Sequence, residues 1–158
     1  MQWTAFFGMI NALASSLMLG ALASEADDLQ TLKDAAGRYL VAMEAVLDLP
    51  MAADCSETSS KAGEYAAAKI AYYKAAREAM PSLIRMAKGE QTNTRYGEDL
   101  IELFRGSGEE ADEAATVTLL SKLRGCDFNQ HSQERKAVED ARQIAEQFLK
   151  DFGRLEGV

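Results

Sequence analysis

Histidine is nearly absent from this chain, with His131 the only one among 158 residues. A carboxylate-bridged di-metal centre of the helical kind needs a Glu-x-x-His pair on each of two helices, so that chemistry is excluded. Ser-His-Asp or Cys-His catalysis would have to use this one imidazole, and no glycine-flanked nucleophile elbow accompanies a serine or cysteine. His131 is expected instead as an exposed residue at the mouth of the last helix. Cysteine is limited to Cys55 and Cys126, with no C-x-x-C. Asp127-Phe128-Asn129-Gln130-His131 follows Cys126, so the C-x-x-C-H of covalent haem attachment is missing and a thiolate metal site is not expected. Gly106-Ser107-Gly108 is too short for a phosphate-cradling loop and is followed by an acidic helix start. No Asn-x-Ser/Thr sequon occurs. These absences favour a non-catalytic function over an enzyme of unfamiliar type, with no metal and no cofactor expected.

What is abundant is alanine and other apolar residues, 47 % of the chain, with two prolines, Pro50 and Pro81. That composition favours helix over sheet and argues against disorder. The length suits one domain with a core of its own. The formal net charge of −8 repels phosphate backbones, so nucleic acid is not an expected partner.

The chain opens on an uncharged stretch from Trp3 to Ala23 that is nearly continuous apolar surface. It closes on Ala21-Leu22-Ala23, the small-x-small pattern of signal-peptidase cleavage, and polar sequence starts at once with Ser24 and Glu25. Residues 1–23 are therefore expected to be a signal peptide and 24–158 a single helical domain, periplasmic or secreted. No stable membrane insertion is expected once the leader is removed. Met1 supplies the only positive charge of the n-region through its α-amino group. No cysteine lies beside the cleavage point, so a lipid anchor is not expected.

Helical periodicity organises the rest. Leu29, Leu32, Ala36, Leu40, Met43 and Leu47 recur by threes and fours, predicting a helix from Asp28 to Leu49 that Pro50 ends. A loop from Met51 to Ser60 holds Cys55, and its Ser/Thr residues are expected to cap the next helix, Ser60 to Lys88. On that helix Tyr65, Tyr72, Ala76, Ala79, Met80, Leu83 and Met86 share one face, and a kink or short break is expected at Pro81. A third segment starts near Thr94 with Tyr96, Leu100, Leu103 and Phe104, and pauses at Gly106-Ser107-Gly108. It restarts on the capping box Ser107-x-x-Glu110, carries Val117, Leu120 and Leu123, and stops at Gly125. Glu109, Glu110, Asp112 and Glu113 crowd the restart, where the helix dipole favours negative charge. The last helix, Ser132 to Leu155, repeats Val138, Ala141, Ala145, Phe148, Phe152 and Leu155 with the most regular spacing in the chain.

In an oxidising compartment the two cysteines are expected to form an interloop disulfide, Cys55 with Cys126, closing a loop of about 70 residues. If the segments around Gly106-Gly108 form one broken helix, the fold is an all-α, up-and-down four-helix bundle and both cysteines come to one end. If they fold back as a hairpin, Cys126 moves to the far end and no bridge can close. Bridge and four-helix topology thus stand together.

Two features suggest function. The second helix carries Lys61, Lys69, Lys74, Arg77, Arg85 and Lys88 against Glu64 and Glu78, an exception to the chain's acidity. Lys74, Arg77, Arg85 and Lys88 form a face that could dock an acidic protein or pair with acidic neighbouring helices. The first expectation is a non-catalytic exported protein that binds another protein, as inhibitor, immunity or accessory protein. The alternative is a carrier of a small apolar ligand, with Tyr65, Tyr72, Met80, Met86 and Phe104 lining a pocket near Pro81.

Overall fold

The computed structural model describes residues 27–87, 108–127 and 129–156. Among the described residues there is no strand, and five helices follow in order: α1 over 27–47, α2 Cys55–Glu78, α3 Met80–Ala87, α4 Gly108–Arg124 and α5 Ser132–Glu156. The expected leader, Lys88, and the segment from Thr94 through Phe104 to Ser107 lie outside the described residues.

α1 buries Leu29, Leu32, Ala35, Ala36, Tyr39, Met43 and Val46, a stripe in steps of three and four. Leu47, expected on this face, is 44 % exposed. Val46 holds the inward position, and the next residue lies about 100° further round the helix.

α2 starts at Cys55 rather than Ser60. Asp54 caps it, its carboxylate accepting the Glu57 backbone N–H at 2.8 Å. The expected caps Thr58 and Ser59 are instead buried inside the first turns. The break falls at Ala79, two residues before Pro81. Pro81 has no N–H for the Arg77 carbonyl, yet it fits the first turn of a new helix, where that donor is not needed. The Ala79 N–H still reaches the Ala75 carbonyl at 2.9 Å, and the Leu83 N–H reaches that of Ala79 at 3.0 Å, so the backbone bonding resumes across the break.

α4 ends at Arg124 in a tightened turn, Gly125 N–H to Lys122 C=O at 3.1 Å and Cys126 N–H to Leu123 C=O at 3.2 Å. It buries Ala115, Thr116, Leu119 and Leu123, whereas Val117, expected in the core, is 59 % exposed beside them. α5 buries Val138, Ala141, Ala145 and Phe148, following the predicted spacing, and Phe152 packs at the edge of the core.

Contacts fix the relative directions. Ser59 with His131, Tyr73 with Phe148 and Arg77 with Asp151 advance together along α2 and α5, so these run parallel. Cys55 meets Cys126 while Lys69 meets Asp112, so α2 and α4 run antiparallel.

Cys55 and Cys126 are joined by a disulfide, with Cα atoms 5.8 Å apart and a sequence separation of 71. Side chains secure the same end. Lys122 Nζ donates to the Pro50 carbonyl at 2.7 Å, and the Arg135 guanidinium donates to the carbonyls of Leu123 and Cys126. His131 is half-buried here rather than exposed, its Nδ1 3.0 Å from Ser59 Oγ. These contacts hold the two cysteine-bearing turns together without the bridge, so its effect lies largely in the unfolded chain. Reduction, or Cys55→Ser, is expected to lower stability by about 2–5 kcal/mol in urea titrations while far-UV circular dichroism in buffer stays unchanged.

Candidate functional site

On α2, Lys69 lies one turn after Tyr65 and one turn before Tyr72 and Tyr73, which places it on the inward face. It is 1 % exposed. A buried ammonium persists only when paired. Asp112 of α4 provides the partner, with Nζ 2.7 Å from Oδ2. Nζ also lies 3.3 Å from the Tyr65 hydroxyl.

The second carboxylate oxygen of Asp112 accepts hydrogen bonds from the hydroxyls of Tyr39 and Tyr65. The Tyr65 hydroxyl also lies 2.8 Å from Thr116 Oγ1. One carboxylate thereby ties α1, α2 and α4 together. From this polar centre the rings continue outward: Tyr39 stacks on Tyr72 at 5.2 Å, Tyr72 meets the edge of Tyr73 at 4.9 Å, and Tyr73 lies 5.4 Å from Phe148 of α5.

Burial dominates the acid–base behaviour of these tyrosines. It raises the Tyr39, Tyr65 and Tyr72 phenols well above their ordinary value, because a phenolate would lose its hydration. The hydrogen bond Tyr65 donates to Asp112 adds to the effect, as do the charges of Tyr65 and Asp112 around Tyr39 and that of Tyr73 beside Tyr72.

Beside this network lies a cavity of about 310 Å³ to which α1, α2, α4 and α5 all contribute. Its walls are mainly apolar and aromatic, including Leu40, Met43, Tyr72, Leu120 and Leu149. Its buried polar side is Lys69 with Thr116, next to Asp112. Glu113, Arg142 and Glu146 are exposed members of the lining and mark the solvent side, together with the outward-facing Val117. This volume is at the lower end of the range that small-molecule pockets occupy.

The chain matches no protein-family model, no curated protein and no solved structure. The site must therefore be read from its own chemistry.

Of the residues expected to line a pocket, Tyr72 does so; Tyr65 is buried behind it, with its hydroxyl in the network. Met80 is half-buried against the core and does not line the cavity, while Phe104 and the Met86 side chain lie outside the described residues. Of the expected basic face, Lys74 and Arg77 are exposed, Arg77 3.9 Å from Asp151, and Arg85 is half-buried. Tyr39, Lys69, Asp112 and Thr116 come together only in the fold, and sequence spacing alone does not group them. The run 65, 69, 72, 76 carries the signal for Lys69, since it keeps to one side of a helix.

Removing one member of a buried pair leaves the other charge uncompensated. Lys69→Met is expected to cost about 3 kcal/mol or more in urea titrations at neutral pH. Lys69→Met combined with Asp112→Asn should cost less than Lys69→Met alone, because the Asn oxygen still accepts from Tyr39 and Tyr65 while the orphaned charge is gone.

The tyrosines predict an alkaline limit. Their pKa values are raised in the folded state, so the unfolded chain releases these protons first, near pH 10. Their effect on stability is nil well below pH 10, and above it each phenol lowers stability by about 1.4 kcal/mol per pH unit. In a spectrophotometric titration, Tyr39, Tyr65 and Tyr72 should ionise only as helical circular dichroism is lost, in one cooperative step above pH 10.

Proposed function

We propose that the protein is an exported, non-catalytic carrier of a small, mainly apolar ligand, held between the helices of an up-and-down four-helix bundle. In this arrangement α2 and α3 form one interrupted rod, and α4 belongs to the third rod of the bundle. The antiparallel course of α2 and α4 and the bridge between Cys55 and Cys126 support it. Export is supported by the uncharged run from Trp3 to Ala23 and by the disulfide, which suits an oxidising compartment. Among the described residues no helix is long and apolar enough to cross a membrane.

The observation that carries the reading is the cavity itself. A chain selected only for stability would cover such apolar walls, because surface left open to solvent forgoes the burial that stabilises a core. Here leucine, methionine and tyrosine side chains from separate helices line it, with Lys69 and Thr116 buried on its inner side and Glu113, Arg142 and Glu146 at its solvent side. That division suits a ligand with an apolar body and few hydrogen-bonding atoms.

The other reading, docking to a partner protein, rests on Lys74, Arg77, Arg85 and Lys88, the last outside the described residues. Arg77 already has Asp151 of the same chain as a neighbour, which weakens the case for a free basic face. One experiment separates the two. The fluorescence of N-phenyl-1-naphthylamine should rise saturably with a single site on the mature protein. Ala145→Phe, which fills the cavity from α5, should weaken that binding at least about tenfold. Lys74→Glu with Arg77→Glu should leave it unchanged. Unsaturable binding, or binding indifferent to Ala145→Phe, would refute the carrier.

A further inference from the structure

We propose that Lys69 is a covalent capture site, condensing with the carbonyl group of an apolar aldehyde or ketone held in the cavity to form a protonated imine. This inference rests on the reading of the cavity as a ligand site, and it names the ligand class.

Three features single out Lys69. It lines the cavity although it is 1 % exposed, so a ligand lodged among Leu40, Met43, Tyr72 and Leu120 lies beside it. By contrast, Lys74 and Lys136 are exposed and line no part of this cavity. A carboxylate, Asp112 Oδ2, sits 2.7 Å from its Nζ, close enough to receive a proton and return it. Finally, Tyr39 and Tyr65 donate to the other oxygen of that carboxylate, which fixes its position while the amine reacts.

The ammonium first passes a proton to Asp112. The neutral amine then attacks the carbonyl carbon, forming the C–N bond as the carbonyl π electrons move to oxygen. One nitrogen proton shifts to that oxygen, giving a neutral carbinolamine. Asp112 returns its proton to the hydroxyl, which departs as water while the nitrogen lone pair forms the C=N bond. The nitrogen keeps one proton. Ammonium and carbonyl compound thus become iminium and water, with no oxidant or reductant involved.

The charge balance is what makes this site suitable. One buried cation replaces another in the same place, and Asp112 remains as its counter-ion. The desolvation already offset by the ion pair is not incurred again. An exposed lysine has neither a counter-ion fixed in this way nor apolar walls to retain the ligand.

The test uses nonanal with sodium cyanoborohydride on the mature protein, followed by peptide mapping, with nonanol as the non-condensing control. Nonanol should displace N-phenyl-1-naphthylamine, and nonanal should leave its reduced adduct mainly on Lys69, above a low background on exposed lysines. Lys69→Arg keeps a cation beside Asp112 but cannot form an imine. It should retain native circular dichroism and lose the adduct. Asp112→Asn should slow modification at position 69 at least about tenfold and leave background modification of Lys136 unchanged. If nonanol binds but adducts fall only on exposed lysines such as Lys74 and Lys136, covalent capture is overturned and the carrier stands. If nonanol does not bind either, both are overturned.

Discussion

The packing of these helices turns on one buried ion pair. Lys69 and Asp112 join α2 to α4, and the tyrosine hydroxyls that satisfy the carboxylate bring in α1. Taking an ammonium and a carboxylate out of water costs several kcal/mol each, and their attraction offsets this only with good geometry and satisfied hydrogen bonds. The network meets that condition, with Tyr39, Tyr65 and Thr116 around the pair. It also defines register. A slip of α4 by four residues would bring Gly108 or Thr116 to Lys69 in place of Asp112, leaving the ammonium without a counter-charge. An apolar seam of alanine and leucine would tolerate such a slip far better, since one methyl packs much like another.

Two constraints of different kinds act along the same helices. The disulfide pins one end, where Lys122, Arg135 and His131 add hydrogen bonds to the turns. The ion pair lies further on, Lys69 being 14 residues beyond Cys55, roughly 21 Å along a helix rising 1.5 Å per residue. Between these points α2 presents Ala62, Tyr65 and Ala66 to the core. Small side chains at the first and third of these positions let the backbones approach, and Tyr65 reaches across to α4. The cavity opens where the bulkier Tyr72 and Tyr73 succeed the alanines.

Much of the architecture was legible in the residues because apolar spacing records burial directly. The α5 stripe from Val138 to Phe148 and the stop at Gly125 follow from periodicity and from glycine at a helix end. The bridge between Cys55 and Cys126 follows from there being no other cysteine to choose. The errors at helix edges have physical causes. Asp54 is as good a cap as serine, so α2 starts ahead of the Ser/Thr run rather than within it. Leu47 and Val117 are apolar yet face outward, because identity alone does not say on which side of a stripe a residue falls. The site was harder to read for a more basic reason. A lysine and an aspartate are ordinarily solvated, and only their meeting across 43 residues of sequence makes both inward-facing. Lys69 shares the Tyr65 face by spacing, but nothing on α2 indicates which of the acidic residues around Asp112 completes the pair.

The cavity and the ion pair bear on each other. A cavity beside a wholly apolar core would stay dry and accept any apolar molecule of the right size. Lys69, Asp112 and Thr116 offer partners to a polar atom of a bound molecule, whereas Leu40, Met43, Leu120 and Leu149 offer only apolar contact. A molecule that satisfies both has its polar end directed toward α2 and α4. Binding by such a molecule would also stabilise the fold, because residues from α1, α2, α4 and α5 all contact the same volume and that contact is lost on unfolding. The polar network thus has two consequences that are hard to separate by deletion. It sets how α2 and α4 align, and through that alignment it gathers Lys69, Asp112 and Thr116 in the lining of the cavity.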